Sequence, residues 1–241
     1  MVFAYVKNAT KLWEEMPIPM AIAMKEVFNV MRRQLRSIGG YEVKNEAEAM
    51  MASFSSVPAA MLWCFKVQEL LVLADWPQDI LDCEDGKTVY HPNNPDQLLY
   101  RGLSVRMGIH WGNPVSHRDE VTRRMDYYGQ MVNRSARISN LADGGEICVS
   151  SDVINVIQHL LADTTLTMSD SPYAEHIREI QKMGFVIIGL GEIKLKGLET
   201  PEPLHLIYSQ LLAPRYTKDS LKSLTGTPLL GTVSRAYIYS A

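Results

Sequence analysis

Six apolar residues, Met20, Met24, Val27, Met31, Leu35 and Ile38, recur at intervals of three and four, and Gly39-Gly40 follows at once. That spacing puts all six on one side of a helix. Lys25, Glu26, Arg32, Arg33 and Arg36 fill the rest of its circumference. The glycine pair supplies the backbone freedom that ends it. Directly beyond, Tyr41 to Phe54 reads as a hairpin bent at Asn45-Glu46-Ala47-Glu48. A long amphipathic helix followed by a hairpin points to a layer of helices on a sheet.

The rest of the chain extends the pattern. Met1 to Val6 reads as a short buried strand, and Asn8 or Thr10 can cap a helix beginning near Leu12. Such a strand-to-helix corner offers free backbone N–H groups to phosphate. Pro58 to Trp76 is a second amphipathic helix, and Pro77 to Arg101, rich in Asp, Asn, Pro and Gly, is expected to be an exposed loop or small hairpin. Leu103 to Trp111 alternates as a strand, in which His110 is expected to be a packed histidine and not a base. Gly112-Asn113-Pro114 turns the chain, and Gly129 can open a helix whose Met131, Val132, Ala136 and Ile138 make an apolar side. On that helix Asn133 and Arg137 are four apart and share a face, with Asp126 just upstream.

Gly144-Gly145 leads into a strand from Glu146 to Val149, and Ser150-Ser151-Asp152 caps a helix through Leu161. A polar loop is expected from Ala162 to Tyr173, then a short helix to Met183, a strand from Phe185 to Leu190, a tight hairpin at Lys194, Lys196 and Gly197, and a closing strand from Leu204 to Tyr208. This order fits an α+β sandwich, with helices on one face of a largely antiparallel sheet. The expected domain runs from 1 to 212, and 213–241, without periodicity, is expected to be a tail.

A formal charge of -3 gives no general attraction to nucleic acid, so any anion site must be local. Cys64, Cys83 and Cys148 are odd in number and far apart, which argues for free thiols in a reducing, cytoplasmic setting. No apolar run approaches the roughly 18 residues a membrane helix needs, and no secretory segment is visible, so no direct membrane insertion is expected. Any association with a membrane surface would come through partners. Met1-Val2-Phe3 begins directly inside a strand, as a fragment of a larger protein or a chain shortened at its front would.

The run R-M-D-Y-Y-G-Q-M-V-N-R-S-A-R at 124–137 resembles the signature helix of class III nucleotidyl cyclases, and in detail that of fungal adenylyl cyclases. Further blocks follow in the same order at 2–14, 31–44, 103–112, 142–147 and 190–199. The resemblance implies a ferredoxin-like core and conversion of ATP to cyclic AMP and pyrophosphate. It also implies Mg2+ or Mn2+ held by two carboxylates, in a site formed between two cyclase domains. Carried onto matching positions, Arg137 stabilises the α-phosphate, Asn133 orients the ribose, Lys196 and the corner at Thr10 hold the triphosphate, and Lys44 with Asp126 reads adenine.

Departures fall on the metal side. The pattern F-x-D-x-x-x-S-T has become Phe3-Ala4-Tyr5-Val6-Lys7-Asn8-Ala9-Thr10, so Tyr5 stands for the first metal carboxylate. The bend E-G-D has become Glu46-Ala47-Glu48, leaving Glu48 as a longer, weaker ligand and placing Ala where a positive φ is expected. Asn113 stands where some relatives carry a phosphate-binding arginine. The expected role is therefore the base-reading half of one site, dependent on an intact cyclase partner. The alternatives are a non-catalytic dimerising or regulatory module, a decayed copy, or an active homodimer in which Glu48 and backbone groups hold the metal unaided.

Overall fold

The computed structural model describes residues 1–162, 171–197, 200–216 and 236–239, with backbone alone at 162 and 236–239. Strand β1 (Val2–Val6) leads into a short helix α1 (Ala9–Glu15) and, across Met16, the long helix α2 (Pro17–Ile38). Gly39, at φ 82°, ends α2 in the left-handed conformation. The hairpin follows as β2 (Tyr41–Glu46) and β3 (Ala49–Ser53), and then α3 (Val57–Leu73), which begins where the Ser56 hydroxyl accepts the Ala59 N–H. After a short α4 (Gln78–Asp82) come the small hairpin β4 (Val89–His91) with β5 (Asn94–Tyr100), and the strand β6 (Val105–Ile109). A second small hairpin, β7 (Val115–Arg118) with β8 (Met125–Tyr128), precedes α5 (Gln130–Ser139). The remaining elements are β9 (Ile147–Ser150), α6 (Ser151–Ala162), α7 (Pro172–Met183), β10 (Phe185–Ile193), β11 (Glu202–Ser209) and β12 (Ala236–Tyr239).

Among the described residues, eight strands form one sheet in the order β12-β10-β11-β9-β6-β1-β3-β2. β6 and β9 run parallel, and the other neighbours are antiparallel. Alternation along β1 sends Val2, Ala4 and Val6 into the main core, where Met20, Met24 and Val27 of α2 and Met61, Leu62 and Phe65 of α3 meet them. Trp63 is fully buried there and donates its ring N–H to the Met31 carbonyl at 3.0 Å. The opposite face carries α5. Its Ile138 packs with Cys148, Leu204 and Leu206, and its Ser135 hydroxyl donates to the Met1 carbonyl at 3.1 Å. The long helices thus share one face of the sheet, and among the described helices only the signature helix lies against the other.

Four local expectations resolve differently. Helix α1 begins at Ala9, earlier than Leu12, and Asn8, at φ 53°, makes no capping bond with its side chain. The 77–101 stretch is the expected hairpin, but α4 beneath it buries Ile80 completely. The expected tail rejoins the fold: β12 pairs with the outer edge of β10, and Arg215 is buried, donating to the carbonyls of Leu99 at 2.8 Å and Gly145 at 3.0 Å. Residues 217–235 of that tail and most of the expected 162–173 loop lie outside the described residues. Among the described residues, no helix is long and apolar enough to cross a membrane.

Helix α5 can lie flat on the sheet because β6 carries a glycine beneath it. A side chain at Gly108 would bring its first carbon to 2.4 Å from the Ser139 backbone. Replacing Gly108 with Ala is therefore expected to destabilise the fold by about 3 kcal/mol, read as a lower urea midpoint with loss of the Asn133 and Arg137 geometry. An unchanged midpoint would contradict the close crossing.

Candidate active site

Lys44 leaves β2 just before the bend, and Asp126 sits on β8, a strand of a separate hairpin. Their side chains meet at 2.8 Å. The lysine also lies 5.4 Å over the Tyr128 ring. Burial pushes Asp126 upward, but the Lys44 ammonium, the Tyr128 hydroxyl and the Tyr127 N–H, donating at 2.8 Å, hold it below the usual carboxylate value. The hydrogen bond to Asp126 raises Lys44 in turn. A fixed acceptor and a fixed donor therefore stand side by side on the sheet face that carries α5.

Asn133 is exposed on α5, and Arg137, one turn later, points toward the turn after β10. Gly197 in that turn has φ 76°, and a side-chain carbon there would lie 3.2 Å from the Arg137 guanidinium. The exposed Lys196 precedes that glycine in the same turn. Arg134, between the two site residues on α5, instead faces away and pairs with Glu202 and Asp152.

At the other end of β1, Tyr5 lines a cleft of about 320 Å³ with Phe3, Lys44, Glu46, Ala47 and Glu48. Its ring stacks parallel to Phe3, with centroids 6.2 Å apart. Arg106, its register partner on β6, holds a guanidinium 5.1 Å over the same ring. Burial raises the Tyr5 phenol, Arg106 opposes that, and Glu46 reinforces it, so the group stays neutral near pH 7. Glu48 is half-buried in the bend, where Ala47 takes the expected positive φ of 44°. Thr10 is exposed in a neighbouring cleft of about 450 Å³ that Lys7, Asn8, Lys11, Glu48 and Arg106 also line. Asn113 is exposed in the turn after β6.

His110 is 4% exposed and its Nδ1 shares a hydrogen bond of 2.9 Å with the Ser150 hydroxyl. It is a packed residue directly after β6, not a base.

The chain's residues 1–199 match the model of the adenylate and guanylate cyclase catalytic domain. The chain belongs to this family. It is 46% identical over 228 residues to an adenylate cyclase of Schizosaccharomyces pombe, covering 95% of this chain and 13% of that protein. It is 47% identical over 241 residues to an adenylate cyclase of Mycosarcoma maydis, covering 89% of this chain and 10% of that protein. The chain therefore spans about a tenth of the length of these relatives. Among solved structures, adenylate cyclases of Trypanosoma brucei in their monomeric state superpose with a TM-score of 0.67 at 23% identity, covering 90% of this chain and 89% of that one, which shows the same fold.

Cyclase domains of this class generally depend on metal, so the residues on β1 and the β2–β3 bend can be tested for fit. Two ions need two carboxylates, and Glu48 stands with a neutral phenol and a guanidinium. Among the described residues, no three His, Cys, Asp or Glu side chains are grouped to hold an ion. The metal pair does not fit this cyclase domain. Two features of the site were not read from the sequence. Arg106 is one of several strand arginines, and only the β1–β6 register places it over Tyr5. Tyr128 reaches Lys44 only because the β7–β8 hairpin folds over β2.

Two measurements follow from these environments. Substituting Asp126→Asn should return the Lys44 titration toward an ordinary lysine, seen by NMR at its ε carbon; no change would mean that the pair does not persist in solution. Burial, then Arg134 and the Met1 amine, hold His110 at about 4 against the opposing Asp152 carboxylate. The unfolded histidine titrates near 6.5 and takes up a proton that the folded state refuses. Stability from this group is complete above that value and is lost as pH falls toward 4. In urea titrations across that window, His110→Gln should show a shallower loss than the native chain.

Proposed function

We propose that this domain provides the nucleotide-reading half of a composite adenylyl cyclase site, completed by a second cyclase domain that carries the metal carboxylates. The observation that carries the reading is the 2.8 Å pair of Lys44 and Asp126, built across two hairpins, beside a β1 whose metal position holds Tyr5 under Arg106. One half is assembled, and the other is replaced.

The reaction is intramolecular in ATP. The ribose 3′ oxygen bonds to the α-phosphorus, the bond from that phosphorus to the leaving pyrophosphate oxygen breaks, and the 3′ hydroxyl loses its proton. Asp126 accepts from the exocyclic amine of adenine and Lys44 donates to a ring nitrogen, a pair that suits adenine better than guanine. Asn133 orients the ribose from the exposed side of α5. Arg137, a permanent forked donor, meets the charge growing on the α-phosphate oxygens. Lys196 and the corner at Thr10 hold the triphosphate. Mg2+ or Mn2+ would enter with the partner's carboxylates.

A specific observation also favours a second reading. The Phe3–Tyr5–Arg106 stack closes the metal position of this chain, as a dimerising or regulatory domain without catalysis would allow.

The two readings separate in one assay. Cyclic AMP is measured from ATP with manganese, using the chain alone and then mixed with an intact cyclase domain that lacks its own equivalents of Asn133 and Arg137. Activity is expected in the mixture only, and Arg137→Ala in this chain should lower it by about a hundredfold or more. A silent mixture in which the heterodimer has formed would refute the composite site and leave the regulatory reading.

A further inference from the structure

The corner between β1 and α1 does not stand open. The Lys7 ammonium lies 2.7 Å from one Asp143 oxygen and 2.8 Å from the other. Asn8 donates from its side-chain amide to Asp85 at 2.7 Å, and Lys11 donates to the other oxygen of the same carboxylate at 2.9 Å. Asp85 thus uses both oxygens on this corner, although it comes from the turn between α4 and β4, more than seventy residues away. The carboxylate is the sheltered partner, 16% exposed against 53% for Lys11.

The turn that presents Asp85 is fixed. Ile80 anchors α4 in the core. The Gly86 N–H donates to the Cys83 carbonyl at 3.2 Å, and the Gly86 carbonyl accepts from Gly102 at 2.8 Å. No side chain fits at Gly86, since its first carbon would lie 2.1 Å from the Ile80 carbonyl oxygen. Burial pushes Asp85 upward, but Lys11, Asn8 and the more distant Lys7 outweigh it, so the carboxylate stays charged at neutral pH.

A carboxylate and a terminal phosphate ask for the same donors. Each is an anion that accepts several charge-assisted hydrogen bonds. The adjoining cleft of about 450 Å³ opens onto Lys7, Asn8, Thr10, Lys11 and Arg106, so a polyphosphate reaching these groups meets Asp85 already there. A half-exposed lysine pair is weak enough for a multiply charged ligand to displace.

We propose that Asp85 is a built-in anion that competes with polyphosphate for Asn8 and Lys11, so that the 77–101 segment sets how readily this corner accepts the phosphate chain of a nucleotide. The proposal rests on the assignment of the corner to triphosphate under the proposed function. It makes the 77–101 segment an autoinhibitory contact.

Inorganic tripolyphosphate is the probe, titrated by calorimetry into the full chain alone, without divalent metal and then with manganese. Asp85→Asn keeps the shape and removes the charge, and should bind at least fivefold tighter than the native chain. Lys11→Gln added to that variant should abolish most of the gain. Equal or weaker binding by a folded Asp85→Asn chain, or no binding by either chain, overturns the proposal. Should the variant not fold, the native protein still decides. The Asn8 side-chain amide NMR signals should move with the same dissociation constant as tripolyphosphate binding, and binding that leaves them unmoved refutes displacement. A chain that completes the mixed cyclase assay while Asp85→Asn gains nothing refutes the contact alone; the converse refutes the composite site alone.

Discussion

The positions of Asn133 and Arg137 depend on the missing side chain at Gly108. It lets α5 approach the sheet until the Ser139 backbone touches β6, and Ser135 and Ile138 are then buried against the strands. A helix held that closely cannot rotate, so its outward residues are aimed by its inward ones. Asn133 and Arg137 look across the sheet surface because Ser135, Ile138 and Ser139 look into it. The same contact sets the depth at which Arg137 reaches the Gly197 turn. Packing that is silent in the chemistry therefore fixes the geometry of the chemistry.

The lysines around the two clefts are arranged in pairs. Lys44 has Asp126, Lys7 has Asp143, and Lys11 has Asp85. All three pairs are partly exposed, so each contributes little to stability and leaves its cation available to a stronger anion. Tyr5 breaks the pattern. A carboxylate beside Arg106 would form one more pair, whereas the phenol offers only its ring face to the guanidinium. Beside Glu48, Tyr5 therefore offers a phenol where a second carboxylate would be needed to hold a pair of divalent ions.

The elements outside the family match reinforce the same region. Arg215 lies beyond residue 199, where the match ends, yet it donates to the Gln68 side chain at 2.7 Å and to the Gly145 carbonyl. Gly145 precedes Glu146, whose carboxylate accepts the Asp143 N–H at 2.7 Å, and Asp143 holds Lys7. A continuous set of buried and half-buried bonds therefore links Arg215, the β4–β5 hairpin through Leu99, and the corner after β1. Without its guanidinium, three buried acceptors would lose their partner.

Much of this was legible in the order of residues. The methionine stripe of α2, the alternation of β6 and the spacing of Asn133 and Arg137 are local periodicities, and local periodicity reports which side of an element is buried. The substitution at Tyr5 was visible as a change of residue type, and the positive φ at Ala47 as a conflict between bend and side chain. Contacts between residues distant in sequence were not legible. Asp85 reads as one more polar residue in a loop, and Arg106 as one more strand arginine, because their partners are set by strand register and by which way a hairpin folds. The end of the chain was misread for the same reason: β12 has no pattern of its own and becomes a strand by pairing with β10. The sequence by itself determined most of the elements, the family and the donor and acceptor types of the candidate site residues. Tertiary structure alone decided which cations are already held and by whom, because a pairing energy depends on distance through space, which the order of residues does not record.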